Sequence, residues 1–262
     1  MFSLPVQLLA GASKSDWKVV IPIVEDAPKQ HLYYHELLKE ALKQAGVKAT
    51  YDTPRYPQLR IKNLLDVGKV TLYWMVESEE RNKKYLPIRV NLTNGLIGKR
   101  ILFIRKKDQI KFNAIKNIED FRLLSMTGGM GEGWFDVKVW AHNKLKYKEQ
   151  SGNWRKIYKM LAQNREYDYF SRGLNEILME AKDHPELHIE QNLAFIYDRD
   201  FRFYMSRSGE NARPQHRIKV EEALKSAEKS GLIKELVEKY WGNIFQKLNY
   251  SNRTMLYLNT PR

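Results

Sequence analysis

A glycine-rich segment offers the first chemistry in this sequence, because it has the composition of an anion-binding turn. The segment Thr127–Gly131 reads Thr-Gly-Gly-Met-Gly and stands shortly before an expected helix that begins at Trp134. Glycines let backbone N–H groups approach a ligand closely, and the start of a helix adds positive partial charge. The segment lacks the Gly-Lys-Ser/Thr of a Walker A loop, and it is not a GxGxxG nucleotide fingerprint. An anion site and a simple turn are both open interpretations.

Two pairs of histidines have the i, i+4 spacing that places two imidazoles on one side of a helix and suits a metal ion. The pairs are His31/His35 and His184/His188. Neither forms an HExxH motif, Pro185 interrupts the second pair, and no third ligand stands beside either. We therefore expect surface or helix-end histidines and neither a metal nor another cofactor.

Patterns that mark an enzyme are missing from the sequence. It contains no cysteine, which excludes a thiol nucleophile, cysteine-ligated zinc and iron–sulfur clusters. It has no G-x-S-x-G elbow for a serine nucleophile, and its acidic pairs have no spacing that singles out a glycosidase. The sequence therefore predicts a non-enzymatic protein with no catalytic residues.

The net charge of +14 raises the question of a polyanionic partner. The excess is spread as +4 over residues 1–98, +5 over residues 99–199 and +5 over residues 200–262. Basic clusters such as Arg105–Lys107 are short, and no arm is built to follow a phosphate backbone. We therefore expect no nucleic-acid partner, and a nucleic-acid-binding protein is the weakest of the alternatives.

The first residues resemble the end of a secretory signal peptide. Residues 2–12 form a short apolar run that ends in small residues of the A-x-A type, and a polar segment follows. No basic segment precedes the run, which is also too short to span a bilayer. Residues 1–13 are thus either a signal-peptide remnant or an N-terminal arm, and the lack of cysteine is compatible with a periplasmic protein.

Hydrophobic periodicity predicts the elements that position these groups. Lys18–Ile23 is β-rich, His31–Ala45 has apolar residues at helical spacing, and the alternation continues as far as Val76. This βαβαβ order favours a largely parallel sheet covered by helices. A second alternating series follows, with strands expected at Phe121–Met126, Leu193–Tyr197 and Phe201–Met205 and a helical tail at Pro214–Leu248. The 262 residues thus divide into two α/β lobes, with the tail on one of them.

Several short segments occur in an order that matches a known protein family. They are Tyr33–Leu42, Ser78–Arg81, Gly95–Lys106, Gln163–Asp168 and Asn259–Pro261. In turn they look like a first helix, a Thr-Glu-x-Arg element, a crossing into a second lobe, a G-R-x-D strand entry and a terminal Asn-Pro element. In this order the chain resembles the type II periplasmic solute-binding proteins, specifically extracellular solute-binding family 3, which includes amino-acid receptors.

The resemblance implies an α/β fold of two lobes, each a mixed, mainly parallel sheet flanked by helices. Lobe 1 would comprise residues 14–95 plus 203–262, and lobe 2 residues 96–202. Hinge crossings are expected near Asn91–Lys99 and Phe201–Ser206. The resemblance further implies a monomer that holds a small molecule between its lobes and closes on it, for transport with a membrane permease or for sensing.

The resemblance also implies ligand-binding residues. Arg81 falls where family members present an arginine to a ligand carboxylate, a task that suits the planar fork of a guanidinium. The alternative is a surface arginine in the charged run 77–84. Thr127 and Gly129 fall where lobe 2 binds the same carboxylate, and Glu25 lies in a loop at the cleft mouth. The remaining residues expected to line the cleft are Tyr33, Trp74 and Ser78, with core packing as the alternative for the aromatic ones.

One position departs from the amino-acid receptors, which place an acid after this strand to hold the ammonium group of the ligand. Here Ser171 and Arg172 stand about where that acid would be. If Arg172 faces the cleft, a ligand with a second anionic group is expected. If it faces solvent, Asp168 or Glu176 would serve an amine.

The sequence and the resemblance together predict a solute-binding protein for a small, polar, anionic ligand that is amino-acid-like or carboxylate-bearing. An enzyme on the same two-lobed scaffold is the alternative.

Overall fold

A computed structural model describes residues 17–25 and 31–261. The expected N-terminal arm or signal remnant at residues 1–13 lies outside the described residues. So does the part of the cleft-mouth loop that follows Glu25.

Strands and helices alternate along most of the described chain. The strands are β1 (Trp17–Val20), β2 (Ile23–Val24), β3 (Ala49–Asp52), β4 (Arg55–Tyr56), β5 (Leu72–Val76), β6 (Leu86–Pro87), β7 (Lys99–Ile104), β8 (Gly128–Gly131), β9 (Tyr147–Gln150), β10 (Tyr169–Gly173), β11 (His188–Ile189), β12 (Leu193–Ile196), β13 (Phe201–Met205) and β14 (Thr254–Tyr257). The helices are α1 (Leu32–Gln44), α2 (Gln58–Asp66), α3 (Glu79–Lys84), α4 (Gln109–Phe112), α5 (Ile118–Leu123), α6 (Phe135–His142), α7 (Lys156–Ala162), α8 (Ile177–Asp183), α9 (Pro214–Ser230), α10 (Leu232–Trp241) and α11 (Ile244–Lys247).

The strands of the first lobe lie side by side in the order β3, β1, β5, β13, β6. The strand β1 pairs in parallel with β3, and β2 continues this pairing with β4. One residue links β1 to β5, since Thr71 donates its N–H to the carbonyl of Val20 and its hydroxyl accepts from the N–H of Val20. The strand β13 is antiparallel to both of its neighbours, β5 and β6.

The second lobe contains a seven-stranded mixed sheet in the order β14, β12, β7, β10, β8, β9, with β11 also paired to β7. Parallel pairs join β9 to β8, β8 to β10 and β12 to β14. The strand β7 is antiparallel to both β10 and β12. In each lobe, therefore, the antiparallel strand is the first one after the chain arrives from the other lobe. The predicted two-lobed α/β fold with mixed sheets flanked by helices is confirmed.

The two chain crossings between the lobes run side by side and are joined by one buried carboxylate. Asp200 accepts hydrogen bonds from the backbone N–H groups of Thr93 and Gly95, each at 2.9 Å. It also accepts from the Thr93 hydroxyl and from the N–H of Phe201. Burial raises the pKa of Asp200 above its usual value, and these hydrogen bonds act in the opposite direction. The first crossing is thus fastened to the start of β13.

The C-terminal segment contributes to both lobes. Helices α9 and α10 pack against α1 of the first lobe. In contrast, β14 pairs with β12 in the larger sheet, and the side chain of Asn143 bonds the backbone of Asn259. The expected assignment of residues 203–262 to lobe 1 therefore needs correction, because the backbone of residues 254–257 is hydrogen-bonded within lobe 2.

The expected strand at Phe121–Met126 is wrong, because Phe121 lies within α5. Asn117 begins this helix, and its side chain accepts from the backbone N–H groups of Glu119 and Asp120. An N-terminal cap of this kind satisfies donors that the helix itself leaves unpaired. The capping asparagine outweighs the apolar composition that suggested a strand.

The segment Thr127–Gly131, expected as a glycine loop, is mostly a strand in the structure, because Gly128–Gly131 form β8. A Cβ atom on Gly128 would lie 2.7 Å from the ring of Tyr169, and one on Gly131 would collide with the ring of Trp134. These glycines are therefore required by the packing of aromatic rings on the strand. The loop conformation begins later, at Gly133, whose φ is +69°.

We expect the substitution Asp200→Asn to lower the free energy of unfolding by about 3 kcal/mol, because an amide nitrogen would face backbone donors in place of an accepting oxygen. The measurement is urea denaturation at neutral pH. The exposed neighbour Asp198 provides the matched control, and Asp198→Asn should leave the midpoint unchanged. Equal midpoints for both variants would show that Asp200 does not fasten the crossing.

Candidate functional site

A cavity of about 150 Å³ lies between the two lobes. Its first-lobe wall comes from α2, β5 and α3, and its second-lobe wall from the segments that open α6 and α7 and from the end of β10. A cavity of this volume holds a ring-sized molecule. This is where side chains from both lobes converge.

Arg81 enters the cavity from the first lobe. Ser78 caps the short helix α3, and its Oγ accepts the backbone N–H of Arg81 at 3.3 Å. The guanidinium of Arg81 donates to the carbonyl oxygen of Val76 at the end of β5. Burial lowers the pKa of Arg81. Among the described residues no carboxylate forms an ion pair with Arg81, so its charge is available to the cavity.

Lys62 brings a second positive charge to the same wall. It is an exposed residue of α2 whose side chain reaches the cavity, and Gln58 lies one helical turn before it and also lines the cavity. Partial burial lowers the pKa of Lys62, and the neighbouring charge of Arg81 lowers it further. Two cations thus repel one another on the first-lobe wall, and an anion placed between them would stabilise both.

Arg172 lies on the opposite wall, at the end of β10, and is buried. Its Nε and Nη2 donate to the two carboxylate oxygens of Glu180 at 2.7 and 2.5 Å, and Glu176 lies 3.1 Å from Nη2. The guanidinium also lies over the rings of Trp134 and Trp154, 5.1 and 4.7 Å from their centroids. Arg172 therefore faces the cavity, but two acids of the same lobe balance its charge.

A second buried ion pair stands beside it. Arg100 of β7 donates to Asp136 at 2.8 Å, and Glu176 lies 3.9 Å from the same guanidinium. Burial alone would raise the pKa of Glu176, but Arg172 and Arg100 outweigh burial and hold that pKa below its usual value. Glu176 and Arg100 can come this close because residue 173 is a glycine: a Cβ atom there would lie 2.9 Å from Glu176 and 3.1 Å from Arg100. Both carboxylates that line the cavity are thus committed to arginines of this chain.

His31 contributes a neutral polar group. It precedes α1, and its ring centroid lies 5.3 Å from that of Trp74. The buried Nδ1 of His31 has no hydrogen-bond partner among the residues that the structure describes. Burial lowers the pKa of His31 to about 4, although Glu176 opposes this shift. The imidazole is therefore neutral at pH 7, and one of its nitrogens can serve a ligand.

Aromatic rings form much of the remaining wall. Trp74 stacks on Tyr34 with ring centroids 4.8 Å apart and planes 13° apart. Trp134 and Trp154 meet edge to face at 5.1 Å. Each ring on the wall therefore packs against another ring. The aromatic residues that line the cavity are Tyr73, Trp74, Trp134, Phe135, Trp154 and Phe201.

The residues predicted for lobe 1 take different places. Arg81 and Trp74 line the cavity, whereas Ser78 positions Arg81 from behind. Tyr33 is buried in the core, and its hydroxyl donates to the carbonyl oxygen of Leu92. Glu25 is exposed, and its backbone N–H donates to Tyr56. Tyr33 is therefore a core residue, which was the alternative to cleft lining that the sequence left open for the aromatic residues.

In lobe 2 the structure brings Arg172 to the cavity, but the other predicted residues do not line it. The backbone N–H of Thr127 donates to Asp168 at 2.9 Å, and Asp168 lies 3.4 Å from Arg105. Gly129 lies inside β8, where a Cβ would press on buried side chains. Ser171 points away from the cavity because successive residues of a strand face opposite sides. These residues hold the sheet together behind the site.

Sequence reasoning missed Lys62, Arg100 and the role of His31. The i, i+4 spacing of Gln58 and Lys62 would have placed both on one face of α2. No comparable signal exists for Arg100, whose partner is distant in sequence. His35, expected at the surface or at a helix end, is instead buried within α1, where its Nε2 bonds the carbonyl oxygen of Pro22 at 3.0 Å. Among the described residues no cluster of three His, Cys, Asp or Glu side chains is placed to hold a metal ion.

Solved structures similar to this chain establish its fold. No protein-family model and no curated protein matches the sequence. A mutant of the arginine-binding protein from T. maritima shares 15% identity and a TM-score of 0.58, over 86% of this chain and 96% of that chain. Tv2483 bound to L-arginine shares 16% identity and a TM-score of 0.59, over 87% and 91%. A histidine kinase sensor domain with similarity to periplasmic binding proteins shares 14% identity and a TM-score of 0.57, over 86% and 96%.

These similarities confirm the resemblance in fold to the two-lobed periplasmic binding proteins, at low sequence identity.

We expect Arg172→Gln to destabilise the protein by about 3 to 5 kcal/mol, because it leaves the carboxylates of Glu180 and Glu176 buried without their cation. Thermal and urea denaturation measure the effect. Arg165 is an exposed arginine before the same strand, and Arg165→Gln is the matched control that should change little. A similar small change in both variants would contradict the buried pairing.

We expect acid to destabilise the protein partly through His31. The unfolded state, with a histidine pKa of 6.5, takes up a proton that the folded state with a pKa of about 4 does not. The free energy of unfolding therefore falls as the pH drops from about 6.5 to about 4, by up to about 3 kcal/mol. The variant His31→Asn should show a flatter pH dependence in this window. The exposed His142→Asn should keep the parental slope, and equal slopes in all three proteins would contradict a neutral buried His31.

Proposed function

We propose that the protein binds a small molecule with an anionic group in the cavity between its lobes, without chemical turnover, and closes on it. The observation that carries this proposal is the pair of cations Arg81 and Lys62 on the first-lobe wall. A carboxylate that reaches both would form charge-assisted hydrogen bonds in a partly water-free site. It would also remove the repulsion between the two side chains.

Closure follows from how the cavity is divided. Arg81 and Lys62 belong to the first lobe, whereas Trp134 and Trp154 belong to the second. A molecule that touches both walls binds the closed arrangement more tightly than the open one, and this difference in affinity shifts the equilibrium. Asp200 fastens the two crossings at the point about which the lobes would turn.

The similar structures support a binding role. They include proteins bound to L-arginine, glutamine and lysine, and a ligand-binding core in complex with L-glutamate. Binding proteins among them favour a role in transport with a membrane permease, and the kinase sensor domain favours signalling. For either role we propose a periplasmic monomer that captures its ligand. Within the described ranges, no helix has the length and apolar character to cross a bilayer.

The acids of the cavity support binding without catalysis. A general acid must carry a proton at the working pH, which requires a raised pKa. Glu176 has a lowered pKa because Arg172 and Arg100 offset its burial. One similar structure is an ancestral amino-acid-binding protein that preceded a dehydratase, so a related scaffold has acquired chemistry elsewhere. In this cavity the carboxylates are tied to arginines, which favours a binding protein.

We expect Arg81→Gln to abolish the rise in melting temperature that a carboxylate ligand produces. A panel of mono- and dicarboxylates screened by thermal shift supplies the probes, since a ligand at about 100 times its Kd stabilises by about 2.7 kcal/mol. Lys83→Gln is the matched control on the same helix, because Lys83 is exposed and does not line the cavity. Retention of the full shift in Arg81→Gln would contradict the proposed contact. Small-angle scattering of the parent with the same probe should show a more compact particle.

A further inference from the structure

We infer that the ligand is an aromatic carboxylate without a positively charged amine, and that His31 bonds a second, uncharged oxygen of it. This inference rests on the proposed function and narrows it to one chemical class. Three features support it: the acids that line the cavity are already paired with arginines, the walls are aromatic, and one nitrogen of His31 lacks a hydrogen-bond partner.

An ammonium group would find no free carboxylate in the described cavity. The carboxylates that line it belong to Asp136 and Glu176. Asp136 is paired with Arg100 at 2.8 Å, and Glu176 lies 3.1 Å from Arg172 and accepts the N–H of Gly173 at 3.3 Å. An amine that approached either acid would have to displace a buried arginine. Breaking such a pair leaves a buried charge unpaired and is strongly unfavourable.

Among the described residues, the first-lobe wall of the cavity carries two positive charges, those of Lys62 and Arg81. A cation beside this wall would lose its water and meet charges of the same sign. An anion also loses its water, but it meets charges of the opposite sign. The charge distribution therefore selects against zwitterions and bases and in favour of simple acids.

The walls are shaped for a flat ring. Trp74 is held by stacking on Tyr34 from the first lobe, and Trp134 and Trp154 stand on the second. Aromatic pairs with centroids about 4.5 to 7 Å apart add about 0.5 to 1.5 kcal/mol beyond the area that they bury. The cavity of about 150 Å³ matches one ring with a short acidic arm. The ring would lie among the tryptophans while its carboxylate reaches Arg81.

His31 provides the second polar contact. Its Nδ1 is buried and without a hydrogen-bond partner among the described residues, although the ring lies on the cavity wall. A buried polar atom is normally hydrogen-bonded, so an unpartnered one in a residue that lines the cavity points to a missing partner. A neutral imidazole nitrogen can donate to a carbonyl or accept from a hydroxyl. A hydroxy or keto acid would therefore bind more tightly than the plain acid.

The test compares ligands that differ by one group, using isothermal titration calorimetry on the intact protein. The probes are 3-phenylpropanoate, phenylalanine, 3-phenyllactate and hexanoate. We expect 3-phenylpropanoate to bind at least about tenfold more tightly than phenylalanine and than hexanoate, and 3-phenyllactate to bind most tightly. Equal or tighter binding of phenylalanine would overturn the exclusion of the amine, and equal or tighter binding of hexanoate would overturn the aromatic class. If none of the four acids binds, the aromatic class is overturned; the anion-binding function is overturned only if the thermal-shift panel of other mono- and dicarboxylates also gives no shift.

The contact to His31 is tested separately by the ratio of the affinities for 3-phenyllactate and 3-phenylpropanoate. In His31→Phe this ratio should fall to about one, because the ring is kept and the nitrogen is lost. In His31→Asn the amide occupies the place of Nδ1, and part of the ratio should return. An unchanged ratio in His31→Phe would overturn the assignment of His31, whatever the stability of the variant.

Discussion

The carboxylate of Asp200 is the constraint on which the arrangement of the lobes depends. It gathers the N–H groups of Thr93 and Gly95 from one crossing and that of Phe201 from the other. Burial favours the neutral form of this acid, yet its oxygens accept hydrogen bonds from four donors. The same attachment places Phe201, which lines the cavity, directly at the second crossing. The crossings and one wall of the cavity are therefore held by one group.

The cavity combines two different uses of arginine. In the second lobe, Arg172 and Arg100 are neutralised by acids of their own lobe, and Arg172 lies over the rings of Trp134 and Trp154. In the first lobe, the guanidinium of Arg81 donates to the carbonyl oxygen of Val76 and, within the described ranges, forms no ion pair with an acid. The two walls thus differ in charge although both carry guanidinium groups. This difference gives the cavity a direction, and the ligand that we propose would place its acidic group toward the first lobe.

The parts of this structure that are local in sequence were predictable from sequence. Apolar spacing and stop signals located α1 and β13, and the order of short segments indicated the two-lobed fold. Ion pairs formed across the fold could not be predicted, since Arg100 meets Asp136 only after folding. The significance of Gly128 and Gly131 was hidden for the same reason, because the rings that require them come from other segments. Arg81 and Trp74 were found through the family resemblance, and Arg172 through its departure from it.

The pairing of β14 with β12 affects how the chain can be made as well as how it is held. A ribosome releases residues in order, and domains commonly fold as they emerge. Here the first lobe needs β13 between β5 and β6, and the second lobe needs β14 at its outer edge. Neither sheet is complete until residues far along the chain are available. Each sheet is therefore completed by a strand that is synthesised late, Phe201–Met205 in the first lobe and Thr254–Tyr257 in the second.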